Sequence, residues 1–161
     1  MRKITLIVLL CFSISVGYAQ NKNDAKLNKL LDNWHLAATN ANGEAFFGFM
    51  AADCIYIGTD ASERWTKDEF VKFAKPYFDK GKAWAFTPIE RKFYYSKNKK
   101  TAWFNETLNT WMGVCRSSGV LEKTSGKWLL KHYHLSVTVP NEKIKDFIEL
   151  VEKKDNPPHQ E

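Results

Sequence analysis

KWLLKHYHLS, residues 127–136, sets two histidines two positions apart in an otherwise apolar, strand-like run. On a strand, successive side chains point to opposite faces, so a regular strand puts Trp128, Leu130, His132 and His134 on one side. What that side touches depends on the strands before it. Period-two patterns predict strands over about 89–96, 101–109 and 113–123, with this one over 127–139. Turn signals separate them at KNK (97–99), near Trp111 and at TSG (124–126), where Gly126 supplies the left-handed residue that a three-residue hairpin loop favours.

Ahead of this meander the period is helical. Leu27, Leu30, Leu31, Trp34 and Ala38 recur at spacings of three and four and form one apolar face. NANG (40–43) breaks that helix, EAFFGFM (44–50) reads as a second, shorter one, and CIYIG (54–58) as a short strand. TKDEF (66–70) is a capping box, Thr66 at the N-cap and Glu69 three residues on, opening a helix over about 67–79. Phe70, Phe73, Ala74 and Tyr77 form its stripe, Pro76 is expected to kink or shorten its last turn, and Gly81 stops it. NEKIKDFIELVEKK (141–154) predicts a terminal helix with Ile144, Phe147, Ile148 and Val151 facing inward, then a polar tail over 155–161. Helices first and an antiparallel meander afterwards define an α+β domain.

The ends and the composition set the context. MRKITLIVLLCFSISVGYAQ has a basic start, an apolar run from Ile4 to about Val16 and small residues near Ala19, the pattern of a signal peptide over 1–19. The run is shorter than the roughly 20 residues of a membrane span, and Leu10 stands before Cys11 where a lipid-anchored cysteine wants a small residue. The expectation is a periplasmic or secreted protein beginning at Gln20, with one domain over 20–154 and no membrane attachment after cleavage. Removing Arg2 and Lys3 leaves 22 basic against 18 acidic residues, a net +4. The lysines are dispersed, which argues against a nucleic-acid partner, since that binding wants a concentrated basic face. Cys54 and Cys115 stand in a compartment that permits disulfides, but nothing local shows that they meet.

Taken together, AADCIYIGTDASERWTKDEF, AWFNETL, CRSSGVL and GKWLLKHYHLS, in that order after two helices, resemble the SnoaL-like branch of the nuclear transport factor two-like superfamily. The resemblance covers roughly residues 24–141. It implies a strongly curved antiparallel sheet wrapped around the N-terminal helices, a cone with one deep pocket, and dimers through the outer sheet face. The superfamily holds isomerases, cyclases, dehydratases and non-catalytic binders, so the fold leaves the function open. Its ketosteroid isomerases place a tyrosine on the first helix and an aspartate base after the first strand. Counted without gaps from Asp53, those positions hold Trp34 and Gly58, and neither can titrate. Asp60 reads as part of an ordinary polar turn.

Strand registers estimated from the turns suggest a site. Pairing Lys123 with Lys127 places Ser118 opposite His132 and Arg116 opposite His134. A turn centred on Trp111 places Glu106 opposite Arg116 and Trp103 opposite Gly119. Glu106, Arg116 and His134 then form one row on the concave face, with Phe104, Ser118 and His132 beside it. Trp103, Asn105, Thr107, Cys115, Ser117, Lys131 and Tyr133 go outward. A one-residue slip at Trp111 would send Glu106 to the other side.

Four readings of that row stand side by side. It is a structural ion pair completed by His134; the polar end of a pocket in which Arg116 takes a carboxylate or carbonyl; a general base at His132 or His134; or a zinc site, which the fixed charge of Arg116 opposes. No metal or cofactor is expected. His35, beside the buried stripe, is a core histidine or a pocket residue. Trp34, Tyr56, Trp65, Phe70, Trp84 and Phe104 are the aromatic candidates for pocket walls. The functional expectation is binding of a small, partly apolar organic molecule. Histidine proton transfer and a closed scaffold domain are the alternatives. A homodimer is expected through a face carrying Trp103, Cys115, Tyr133 and Leu135.

Overall fold

The computed structural model describes residues 22–155. The expected leader, its cleavage site and residues 156–161 of the expected tail lie outside the described residues. The chain begins with α1 (Lys22–Thr39) and α2 (Gly43–Gly48), then runs through β1 (Met50–Ile57) and β2 (Arg64–Thr66) into α3 (Lys67–Asp79). The meander follows as β3 (Thr87–Tyr95), β4 (Thr101–Thr110), β5 (Gly113–Thr124) and β6 (Lys127–Val137). After one 3-10 turn, α4 (Ile144–Asp155) ends the described chain. The capping box opens α3 as the sequence predicts. The Thr66 hydroxyl accepts from the Glu69 amide, and the Glu69 carboxylate accepts from the Thr66 amide at 2.8 Å. Pro76 is accommodated within α3, which continues to Asp79.

The six strands form one sheet in the order β2-β1-β6-β5-β4-β3. The meander β3 to β6 is antiparallel, but β1 runs parallel to β6, so the sheet is mixed rather than wholly antiparallel. Irregularities at Pro88/Glu90 in β3, at Val120/Leu121 against β6, and between Met50 and Ile55 in β1 bend the strands. The curved sheet wraps its concave face around α1 to α3. There Leu27, Leu31, Trp34, Phe46, Phe70 and Phe78 pack against Ala102, Phe104, Leu108, Leu121, Tyr133 and Leu135.

Two local details overturn the expected rows. Thr110 pairs with Gly113, so Trp111 and Met112 form a two-residue turn with Gly113 at φ +86° just after it. That slips β4 against β5 by one residue: Glu106 lies opposite Ser117, and Thr107 opposite Arg116. Likewise Ser125 and Gly126, both at positive φ, make a two-residue turn that pairs Thr124 with Lys127. Leu121 then pairs with Leu130 but Val120 pairs with His132, leaving Lys131 as an extra residue. This bulge reverses the alternation of β6. Trp128 and Leu130 face the core before it, Tyr133 and Leu135 face the core after it, and His132 and His134 turn outward.

The terminal helix departs from expectation in a different way. Ile144, Phe147, Ile148 and Val151 do lie on one face, but each is more than two-fifths exposed, so the stripe faces solvent rather than the core. The chain leaves the sheet at Val137, and the helix that follows packs none of this stripe against the domain. No helix among the described residues is long and apolar enough to cross a membrane.

Candidate functional site

At the end of the cone where the β4–β5 turn lies, a cavity of about 140 Å³ opens between β1, the β1–β2 loop, α3 and the segment before β3. Its walls are aromatic. Tyr56 on β1 stacks on Phe70 of α3 with ring centroids 3.9 Å apart. Trp65 of β2 stacks on Phe73 at 4.7 Å, and Trp84 approaches Phe70 at 5.8 Å. Phe86 and Leu135 complete the inner side, and Trp111 and Met112, from the turn, the outer. Trp111 is 83% exposed, a bulky apolar ring held at a hairpin tip.

Glu63 is the only charged residue among those lining the cavity. Its side chain folds back over its own loop, where Oε2 accepts from the Thr59 amide at 2.9 Å and the Asp60 amide at 3.2 Å. Gly58 makes this possible, since a Cβ there would lie 2.2 Å from Oε2. At the position where the isomerases carry their base, this chain has a glycine whose side-chain space a carboxylate from five residues downstream fills. Burial, and then the nearby charge of Glu63, push the Tyr56 hydroxyl above its ordinary range, so it stays protonated and neutral.

Beneath the cavity floor lies a separate, sealed polar cluster. Glu106 is 1% exposed and accepts four groups. His35 Nε2 at 3.0 Å, Ser117 Oγ at 2.8 Å and Tyr133 OH at 3.4 Å meet Oε1, and Arg91 Nε donates to Oε2 at 2.7 Å. Arg91 Nη2 also lies 2.7 Å from Oε2, yet off its N–H axis and without a hydrogen-bond partner of its own. Arg91 Nη1 continues to Asn28 and Asp32 on α1. Burial alone would raise the Glu106 carboxyl. The hydrogen bond and attraction of His35, the charge of Arg91 and the Ser117 hydroxyl outweigh it and hold the carboxyl below its usual value. Burial and the Glu106 charge keep Tyr133 protonated. None of these side chains lines the cavity; the cluster ties α1 to the sheet.

Of the nine ligand-binding candidates from the sequence, Tyr56 and Trp65 line the cavity. Trp34 is core, its indole N–H donating to the Phe46 carbonyl at 3.1 Å, and Phe104 is core against Gly119. His35 and Glu106 belong to the sealed cluster. Arg116 is exposed on the convex face, where His134 bonds only Ser136, at 3.2 Å. His132 lies on the same convex face. Partial burial, with the charges of His134 and Arg64, lowers its pKa and keeps it neutral near pH 7. The row Glu106–Arg116–His134 does not exist, because the slip at Trp111 puts Arg116 on the face opposite Glu106. Glu106 draws its cation from Arg91, directly across β3. Trp103 faces out as expected. Cys115, Tyr133 and Leu135, assigned to an outer face, are buried inside, and Cys54 and Cys115 are both free thiols. No group of three His, Cys, Asp or Glu able to hold a metal occurs among the described residues.

Sequence reasoning missed Arg91, Phe86 and Glu63. Arg91 sits in a period-two strand at an inward position, which a correct β3–β4 register would have shown. Glu63 carries no motif, and its role arises only when Gly58 lets it turn back.

A mixed sheet closed over three helices, with a mouth cavity, is the architecture of NTF2-like proteins, and solved structures agree. A Pseudomonas putida KT2440 NTF2-like protein of unknown function matches with TM-score 0.63 and 11% identity, over 76% of this chain and 91% of that one. A Streptomyces avermitilis protein, described as a candidate dehydratase from the NTF2-like family, gives 0.63 and 12%, over 74% and 98%. The association domain of C. elegans CaMKII gives 0.60 and 16%, over 72% and 96%. At these identities the likeness is one of fold. No curated protein matches the sequence. Residues 27–140 match the SnoaL-like domain model, and the chain belongs to that family.

Proposed function

We propose that the protein is an exported binding domain for a small, partly apolar organic molecule, held at the mouth of the cone. The observation that carries this is the cavity walled by Tyr56, Trp65, Phe70, Trp84 and Phe86 with a single carboxylate, Glu63, on its wall. Ligand pockets run to roughly 300–1,000 Å³, so about 140 Å³ admits one ring or a compact branched group. A longer ligand would continue into the adjoining groove of about 580 Å³, which shares Phe73, Trp84 and Trp111 with the cavity. Proton transfer by His132 or His134 gains no support from geometry, because both lie across the sheet from the cavity. Tryptophan fluorescence titrated with toluene tests the proposal. Saturable quenching that weakens in Phe73→Ala supports it, and no saturable response to toluene, to 3,3-dimethyl-1-butanol or to choline refutes it.

A second reading, assembly, has its own support. On the convex face Tyr94 stacks on Trp103 with centroids 6.0 Å apart, both more than two-fifths exposed. Apolar groups exposed together on a sheet favour a two-fold homodimer. Of the four residues expected on the dimer face, Trp103 alone lies on it; Cys115, Tyr133 and Leu135 are buried inside. Light scattering of wild type and Trp103→Asp should show a dimer lost in the variant; a wild-type monomer at micromolar concentration would refute it. Export is tested by intact mass, which should place the mature N-terminus at Gln20.

A further inference from the structure

We propose that the mouth cavity selects a small alkylated ammonium cation, an inference that rests on the cavity being a ligand site. Aromatic faces carry a negative quadrupole, and a cation over them gains electrostatic attraction that a neutral group of equal shape does not. Here the rings of Tyr56, Trp65, Phe70, Trp84, Phe86 and Trp111 converge on one space. Their mutual packing fixes most of them without a ligand. Tyr56 lies parallel to Phe70 within 10°, and Trp65 lies 5.5 Å from Phe70.

Charge points the same way. Among the described residues lining the cavity, Glu63 alone is charged and none is a lysine or arginine. Its carboxylate is not a free surface group. Two backbone amides bind the same oxygen, Oε2, and Gly58 leaves the space that the side chain occupies. Oε1 takes neither amide. An anionic ligand would meet both the carboxylate and the electron-rich aromatic walls. A neutral apolar ligand would fill the space but leave Glu63 unused. A primary ammonium must shed tightly held water, whereas an alkylated ammonium presents a weakly hydrated, apolar surface around its charge. The volume of about 140 Å³ suits such a head group, since a cavity of comparable size holds benzene.

The test titrates the full chain with choline and with its neutral isostere 3,3-dimethyl-1-butanol, read by calorimetry and by tryptophan indole N–H shifts. Choline should bind about tenfold or more tightly than the isostere. Glu63→Gln keeps a carbonyl oxygen for the Thr59 and Asp60 amides while removing the charge, so it should bring the two affinities close together. Trp111→Ala, at an exposed tip that the fold does not need, should weaken choline more than the isostere. Equal affinities in the wild type would overturn the inference and leave the ligand site standing, as would toluene binding without choline. Choline binding undiminished in both variants would also overturn it. A protein that binds none of the three probes would refute the ligand site itself.

Discussion

Removing the Glu106 carboxylate should be among the most damaging single changes available in this domain, although Glu106 lies outside the mouth cavity. The Glu106 side chain is fully enclosed and the Arg91 side chain is 3% exposed, so the ion pair lies out of water. In Glu106→Ala, Arg91 keeps Asp32, whose own side chain is 56% exposed, while Ser117, Tyr133 and His35 lose their common acceptor. Leaving a buried charge with only that half-exposed partner costs about 3–5 kcal/mol. In a domain of this size that lowers Tm by roughly 10–15 °C, taking about 3 °C per kcal/mol. Arg91→Ala should cost nearly as much. Arg116→Ala, on the convex face, should stay within about 0.5 kcal/mol. Urea unfolding of the three variants and of the Arg91/Glu106 double variant measures the coupling, which should exceed about 2 kcal/mol. The pair also leaves a pH signature. The Glu106 pKa is lower folded than unfolded, so its contribution is complete above the unfolded value, about pH 4.3, and is lost as pH falls through the lower folded value. Glu106→Gln should remove that acid-side slope. If Arg91→Ala proves near neutral, or Arg116→Ala as costly as Arg91→Ala, the cluster does not hold the fold together as argued.

Three further outcomes are expected. Gly119→Ala should destabilise by about 1–3 kcal/mol, because its Cβ would lie 2.6 Å from the Phe104 ring and 2.8 Å from the His132 carbonyl; chemical denaturation measures it. Thr66→Ala should cost about 1 kcal/mol by removing half of the capping box, while Thr66→Ser should be nearly silent in the same assay. Burial pushes the Cys54 thiol up to about 12, so iodoacetamide at pH 8 should leave Cys54 unmodified in the native protein and label it readily in urea, as mass spectrometry of the peptide will show.

Much of the architecture is local and therefore legible in the chain. The stripe at Leu27, Leu31, Trp34 and Ala38, the Thr66/Glu69 capping box and the period-two runs place α1, α3 and the meander close to where they lie. Those signals arise between residues a few positions apart, through backbone hydrogen bonds and side-chain spacing that hold whatever the rest of the molecule does. The order of motifs was enough to indicate the family, but it included neither the parallel β1–β6 pairing nor the short strand β2.

The site was decided elsewhere. Two-residue turns at Trp111–Met112 and Ser125–Gly126, and one extra residue at Lys131, determined which side chains face the core. Because a strand repeats every two residues, each single-residue change exchanges the two faces entirely. His132, His134 and Arg116 went to the outside, and Glu106 to a sealed partnership with Arg91 and His35. The cavity depends on the same long-range level. Tyr56, Phe70, Phe86 and Trp111 converge from four separate segments, and Glu63 joins them only because Gly58 has no side chain to occupy its place. Spacing along a chain reports which face of its own element a residue shares. Which faces then meet depends on turn length and bulges, and those were fixed by packing in three dimensions.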